Sequence, residues 1–293
     1  MTWLTWAVFS ALLSAAAAIL QKKVLFRVTA LEFSFLVSFV VLLCSCFIPL
    51  TADIGAIAPA ALGVLLGKSI LNSIAFLLVM VALEKNQISS ALPLLGLTPG
   101  VTAVLSFFVL GEGLRGWEWM GLGCMMAGIY ILEKRPQQKS AETLKAFFLS
   151  QNHLPIFGAL GFFAISSIGD KVLVSGYRTS PFVVLFYQHA ITFLIYAIVL
   201  FTRRISFSTT FRKGREQAGY LIIIALVTLA YRFAQLDATK LGPVALVLAV
   251  KRTSILLASF FGGKLFSDER LRVKLLGAAC IVVAGFLILR AVG

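Results

Sequence analysis

The sequence predicts an all-α integral membrane protein of ten transmembrane helices, arranged as two inverted five-helix repeats. Three observations carry this. Of the 293 residues, 60% are hydrophobic and only 13% charged, whereas an ordinary soluble domain is about a quarter charged. Apolar runs near twenty residues in length recur from end to end, the length that crosses a hydrocarbon core of about 30 Å. The shorter alternating segments of a transmembrane β-barrel are absent. Finally, the two halves carry matching motifs in the same order.

The ten predicted spans are 3–20, 30–50, 58–83, 88–110, 117–132, 155–175, 181–201, 217–237, 243–264 and 272–290. The first precedes Gln21-Lys22-Lys23. Nothing positive comes before Lys22, so the segment lacks the basic start of a signal peptide and reads as a span. The third is apolar apart from Lys68 and a few polar residues such as Asn72. The fourth contains Pro93 and Pro99, which break or kink a helix and are tolerated in a membrane where they border a cavity. The fifth is short and rich in glycine, with Gly116, Gly121, Gly123 and Gly128, a pattern suited to close helix packing. Pro155, Pro181 and Pro243 open the sixth, seventh and ninth spans, where a missing N–H costs little. Cys44, Cys46, Cys124 and Cys280 all lie in apolar runs without metal or disulfide spacing and read as small packing residues.

The repeat is visible in detail. KKVL at Lys22–Leu25 recurs as DKVL at Asp170–Leu173, and Ala82–Leu92 matches Gln235–Ala245 with Leu83 over Leu236 and Glu84 over Asp237. Ser106-Phe107-Phe108 falls over Ser259-Phe260-Phe261 at the same offset. After a short insertion, Glu112–Arg115 matches Glu269–Arg272, and Gly128 falls over Gly285. The predicted units are residues 1–133 and 153–293, joined by a basic linker at 134–152. Five spans per unit is an odd number, so the units must cross in opposite senses, as in secondary transporters with a midplane site between halves.

The formal net charge is +14, yet it does not point to nucleic acid. Of the 26 lysines and arginines, seventeen fall in loops on one side of the predicted membrane, four on the other (Arg115, Arg178, Lys240 and Arg290) and five in spans. The positive-inside bias then puts the linker in the cytoplasm and both termini outside. Compact loops and the lack of a transit peptide lead us to expect a bacterial inner membrane.

The five basic residues within spans are Lys68, Lys171, Arg232, Lys251 and Arg252, against one clear intramembrane acid, Asp170. Lys251 lies roughly 12 Å beyond Pro243 along a helix, near the middle of the bilayer. A charge there costs about 2.5–3.5 kcal/mol by insertion scales, so a compensating partner is expected. An anionic small-molecule substrate is one such partner; carbonyls freed by the broken fourth span are another. Asn72, four residues from Lys68, shares its helix face. Arg232 has three alternatives: contact with a ligand, extension to the interface, or pairing with Asp237. Asp170 and Lys171 are read as a structural ion pair or part of a gate. Gln188, Thr192 and Tyr196 form one polar face on the seventh span, suited to substrate contact or to hydrogen bonding between helices. His189 is a candidate proton carrier or a hydrogen-bonded packing residue. Glu32 and Glu118, close to span starts, are expected to reach the interface.

With the repeat and the steps Gly111-Glu112 and Asp268-Glu269, the chain resembles the EamA family of the drug/metabolite transporter superfamily. The resemblance covers almost the whole chain. It implies ten helices in two repeats and alternating-access transport of a small metabolite through a central cavity. It also implies cytoplasmic termini, opposite to the charge bias. The ninth-span pair Lys251-Arg252 is similar to one in sugar-phosphate and nucleotide-sugar translocators, where the pair grips phosphate; Tyr231 is a looser match to an aromatic of their eighth helix. The internal counterpart of the pair in the fourth span is Thr98-Pro99. The expected function is therefore secondary active transport of an anionic, zwitterionic or phosphorylated metabolite, with no cofactor. The alternatives are an exporter of amino acids or drugs whose basic pair is structural, and a membrane enzyme on a lipid-linked anion. Against the enzyme stand the presence of only two histidines and the lack of a nucleophile–base or metal-ligand spacing.

Overall fold

A computed structural model describes residues 2–51, 57–88, 92, 94–111, 116–133, 154–267 and a scatter of helical positions between 272 and 287. Every regular element among the described residues is a helix. The linker, the acidic steps at 112 and 268–269, and Pro93 lie outside them.

Helix α1 (Trp3–Leu25) starts at the N-cap Thr2, whose hydroxyl accepts from the amide of Thr5. A capping box of Thr29 and Glu32 opens α2 (Ala30–Ser45), which satisfies two otherwise orphaned amides. The one-turn α3 (Ile48–Thr51) follows, then α4 (Pro59–Lys85) with proline in its first turn. The fourth span is interrupted, as Pro99 requires: a 3-10 turn (Leu95–Leu97) leads into α5 (Thr98–Leu110), whose Pro99 sits at the helix start. Gly111 ends α5 with φ 68°, a left-handed cap that glycine takes without strain. Helix α6 is Gly116–Glu133. In the second half, α7 (Leu154–Lys171) continues through a π-helical turn (Val172–Gly176). It is followed by α8 (Pro181–Thr202), α9 (Phe207–Glu216) and α10 (Ala218–Leu241). The ninth span is made of α11 (Val244–Lys251) and α12 (Thr253–Leu265), separated by a one-residue turn at Arg252.

Among the described residues six helices are long and apolar enough to cross a membrane: Trp3–Leu25, Pro59–Lys85, Leu154–Gly176, Pro181–Thr202, Ala218–Leu241 and Val244–Leu265. Ala30–Ser45 and Leu95–Leu110 are shorter apolar helices. Large apolar side chains also face outward, among them Phe108 at 77% and Phe201 at 75% exposure, as expected where lipid rather than water surrounds the bundle.

Packing exchanges partners between the halves. Helix α1 lies antiparallel on α10: Trp3 abuts Gly242, the Ser10 hydroxyl donates to the carbonyl of Tyr231, and the Lys23 ammonium sits over the Tyr220 ring. Helix α4 lies antiparallel on α7, with the Ser166 hydroxyl donating to the Lys68 carbonyl and Leu78 beside Gly158. At Gly169 the backbone of α7 meets the side chain of Lys68 so closely that a Cβ would stand 2.8 Å from Lys68 Cβ. Between these pairs α2 packs on α8 and α10.

The ends are tied by lysines. Lys22, late in α1, donates to the carbonyls of Leu83 and Asn86 at the end of α4, while Lys171, at the end of α7, donates to those of Thr239 (3.0 Å) and Gly242 (2.8 Å) at the end of α10. Terminal carbonyls lack intrahelical partners and carry partial negative charge, so each ammonium is well matched. Lys171 is thus engaged with carbonyls of α10, and Asp170 has partners other than its neighbour.

One loop expectation changes. Glu32, at the start of α2, is 5% exposed and accepts from Lys213 at 2.7 Å. That lysine belongs to α9, a segment read as basic loop. Its Phe207 and Phe211 pack edge-on against Phe35 of α2, so an amphipathic helix is clamped to the bundle by apolar and ionic contacts together.

Candidate functional site

The break in the ninth span positions the site. Arg252 has φ −70° and ψ −8°, its amide bonds back to Leu248, and the next helix starts at Thr253. The Lys251 ammonium donates to Gln235 Oε1 of α10 at 2.5 Å and lies 4.7 Å from the ring centroid of Tyr231. An Arg252 guanidinium nitrogen donates to the hydroxyl of Thr98 at 2.9 Å, and that hydroxyl donates to the Leu95 carbonyl in the interrupted fourth span. The 3-10 turn before Thr98 and the turn at Arg252 therefore meet.

Lys251 and Arg252 line a cavity of about 110 Å³ in the middle of the bundle. Asn72, Gln188, His189, Tyr231 and Arg232 also line it, with Phe76, Phe163 and Tyr196 as aromatic wall. Of the sequence candidates, Lys68, Asp170 and Lys171 do not line it. A second cavity of about 100 Å³ lies toward the ends of α1 and α4, lined by Ser14, Ala18, Gln21, Met80, Leu83 and Ser254. The two share Phe76, Phe163, Tyr231, Lys251 and Arg252, which form the partition between them.

Behind the first cavity is a buried charge cluster. Asp170, 2% exposed, accepts from the Lys68 ammonium through one carboxylate oxygen and from Arg232 through the other at 3.2 Å. Gln188 Oε1 accepts from both cations, from Arg232 at 2.8 Å. Arg232 therefore pairs with Asp170, not Asp237, and does not run to the interface. Asp237 is five residues on, about 140° around the helix from Arg232 at 100° per residue. The polar face of α8 is divided: Gln188 serves the charge cluster, the Thr192 hydroxyl bonds Ser73 at 2.8 Å, and the Tyr196 hydroxyl donates to the Ser73 carbonyl at 2.6 Å.

The electrostatics are unbalanced. Asp170 is shared by Lys68 and Arg232, whereas the hydrogen bonds of Lys251 and Arg252 go to the neutral oxygens of Gln235 and Thr98. Buried polar atoms without partners are uncommon in proteins, yet Arg232 Nε, Arg252 Nε, His189 Nε2 and Thr228 Oγ1 have none, and all four residues line the cavity. Such a wall can hold an oxyanion by charge-assisted hydrogen bonds.

Sequence reasoning missed Gln235, Thr98, Phe76 and Phe163. Gln235 was within reach: Thr228, Tyr231, Arg232 and Gln235 recur at three- and four-residue steps, one face of α10. Thr98 had no signal beyond being the counterpart of Lys251.

Residues 1–133 match the EamA-like transporter family. Among curated proteins no match was found. A solved structure titled only "Crystal structure of protein" superposes with a TM-score of 0.62 at 15% identity, covering 95% of this chain and 96% of that one. That likeness shows a shared fold.

Proposed function

Because the first half of this multi-pass membrane protein matches the EamA-like transporter family, we propose that the whole chain is a secondary transporter of that type. In this reading two inverted five-helix repeats, 1–133 and 153–293, are joined by the linker 134–152 in the cytoplasm of a bacterial inner membrane. They carry a small anionic or phosphorylated metabolite by alternating access. The observation that carries the anionic assignment is the surplus of cations at the cavity: Lys251 and Arg252 have only neutral hydrogen-bond partners among the described residues, and the nearby carboxylate Asp170 is already engaged twice.

The roles follow from geometry. Arg252 offers a planar fork for two substrate oxygens, and Lys251 a point charge beside it. Arg232 reaches the cavity, while Lys68 acts from behind it. Asp170 serves as a resident counter-charge that an arriving anion relieves at Arg232. Asn72, Gln188 and Tyr231 complete the wall. Empty, the cations repel one another and disfavour closure; loaded, the cavity closes around the anion, a scheme that suits exchange. His189, with Nε2 free in the wall, is the candidate for carrying a proton if transport is proton-coupled.

The test is a substrate screen in proteoliposomes. Uptake of anionic metabolites, competed by phosphorylated compounds, is expected. A second reading, an exporter of amino acids or drugs, draws on the Arg252–Thr98 bond, which gives the basic pair a structural task. Uptake of neutral or cationic compounds, indifferent to phosphorylated competitors, favours that reading.

A further inference from the structure

The two glutamines at the site are fixed in orientation by their partners. Lysine and arginine side chains carry donors and no acceptor, so the end of each amide that meets them has to be oxygen. Gln188 Oε1 accepts from Lys68 and Arg232, and Gln235 Oε1 accepts from Lys251. Each oxygen is held by one or two cations, so each NH₂ is turned away from them. Among the described residues neither amide nitrogen has a hydrogen-bond partner, although both residues line the cavity. Arg232 Nε and Arg252 Nε, on the same wall, are likewise unpartnered. Four sources of N–H therefore remain, and none of them can accept.

We infer that Gln188 and Gln235 are specificity-determining residues, locked as hydrogen-bond donors toward a cargo oxyanion. The inference deepens the anionic-cargo reading and rests on it. Charge alone attracts any anion. Oriented amide donors add a requirement for acceptor oxygens and penalise a group that brings its own N–H or O–H to this wall, because two donors then face each other with water excluded. A phosphate or sulfate group meets the requirement; chloride, with no directional oxygens, does not. Gln235 carries more weight, because it holds Lys251 in place while presenting its own NH₂.

The experiment uses the full chain in detergent, with inorganic phosphate as probe and chloride at equal ionic strength as reference. The melting point in chloride reports folding; the shift on adding phosphate reports binding. Gln235→Met keeps the Lys251 charge and removes the donor, and it is expected to weaken phosphate binding by roughly ten- to a hundred-fold, the range for a hydrogen bond to a charged group. Gln235→Glu preserves an acceptor for Lys251, and so preserves folding, but replaces the donor and adds a negative charge; it is expected to abolish the phosphate shift. Gln188→Met is expected to weaken binding in the same direction. If Gln235→Met and Gln235→Glu both bind phosphate like the parent while Arg252→Gln does not, the glutamines only position cations; the inference falls and the anionic-cargo reading stands. If the parent itself shows no shift with phosphate beyond that with chloride, both fall.

Discussion

The guanidinium of Arg252 and the hydroxyl of Thr98 form a hydrogen bond of 2.9 Å that joins the interruption of the ninth span to that of the fourth. Thr98 stands at the sequence position that matches Lys251, so the contact links the 3-10 turn before α5 with the turn between α11 and α12. The backbone at Arg252 stays hydrogen-bonded, its amide to Leu248 and its carbonyl to the amide of Ile255, so it is the side chains at this turn that are available to cargo.

Thr98→Val keeps the shape of the fourth span and removes the acceptor. Arg252 then loses a partner at a part-buried position, and a hydrogen bond to a charged group is worth about 1.5–3 kcal/mol. A lower melting point in detergent is expected, smaller when phosphate is present, because the oxyanion takes over the vacated donor. Differential scanning fluorimetry with and without phosphate measures both.

Asp170→Asn leaves Lys68 and Arg232 buried without a counter-charge. Removing one partner of a buried pair costs about 3–5 kcal/mol, so marked destabilisation is expected. Adding Lys68→Met removes the second uncompensated charge and is expected to restore much of the loss; thermal unfolding of the single and double variants decides. Equal stability of parent and Asp170→Asn would remove the case for Asp170 as resident counter-charge.

Gly169→Ala tests the approach of α7 to α4. The new Cβ would meet Lys68 Cβ at 2.8 Å, and neither atom can rotate away. Overpacking of this kind costs about 1–3 kcal/mol and displaces Lys68 from Asp170. Reduced stability and impaired transport are expected, whereas Gly161→Ala, with open space around it, should behave as the parent in both assays.

Much of this arrangement was legible in the sequence. Each described helix falls on an expected span except α9, with α3 at the end of the second, because apolar runs of membrane length are a strong signal. Pro99 announced the break in the fourth span; nothing comparable marked the break at Arg252, where no proline or glycine stands. The capping box was written as Thr29 and Glu32, and its local bonds explain why Glu32 turns inward. What could not be read was pairing across the halves. Arg232 meets Asp170, 62 positions away, because α10 and α7 converge on the cavity, and local spacing suggested Asp237 instead. Helix α9 was obscured by its charge, although Ser206 as cap and the Phe207–Phe211 step were its signals.

Ala18→Phe addresses the partition between cavities. Ala18 lines the second cavity and not the first, so a ring there takes up space on the far side of the partition. Transport is expected to fall at least several-fold while the phosphate-induced melting shift persists. Transport at the parent rate would show that cargo does not pass through that cavity.

The most direct test of the central claim is uptake of a labelled phosphorylated sugar into proteoliposomes by the parent and by Arg252→Gln and Lys251→Gln, which keep polarity and remove charge. The account predicts uptake by the parent, competed by inorganic phosphate, and its loss in both variants with folding preserved. Uptake by both variants at the parent rate would contradict it.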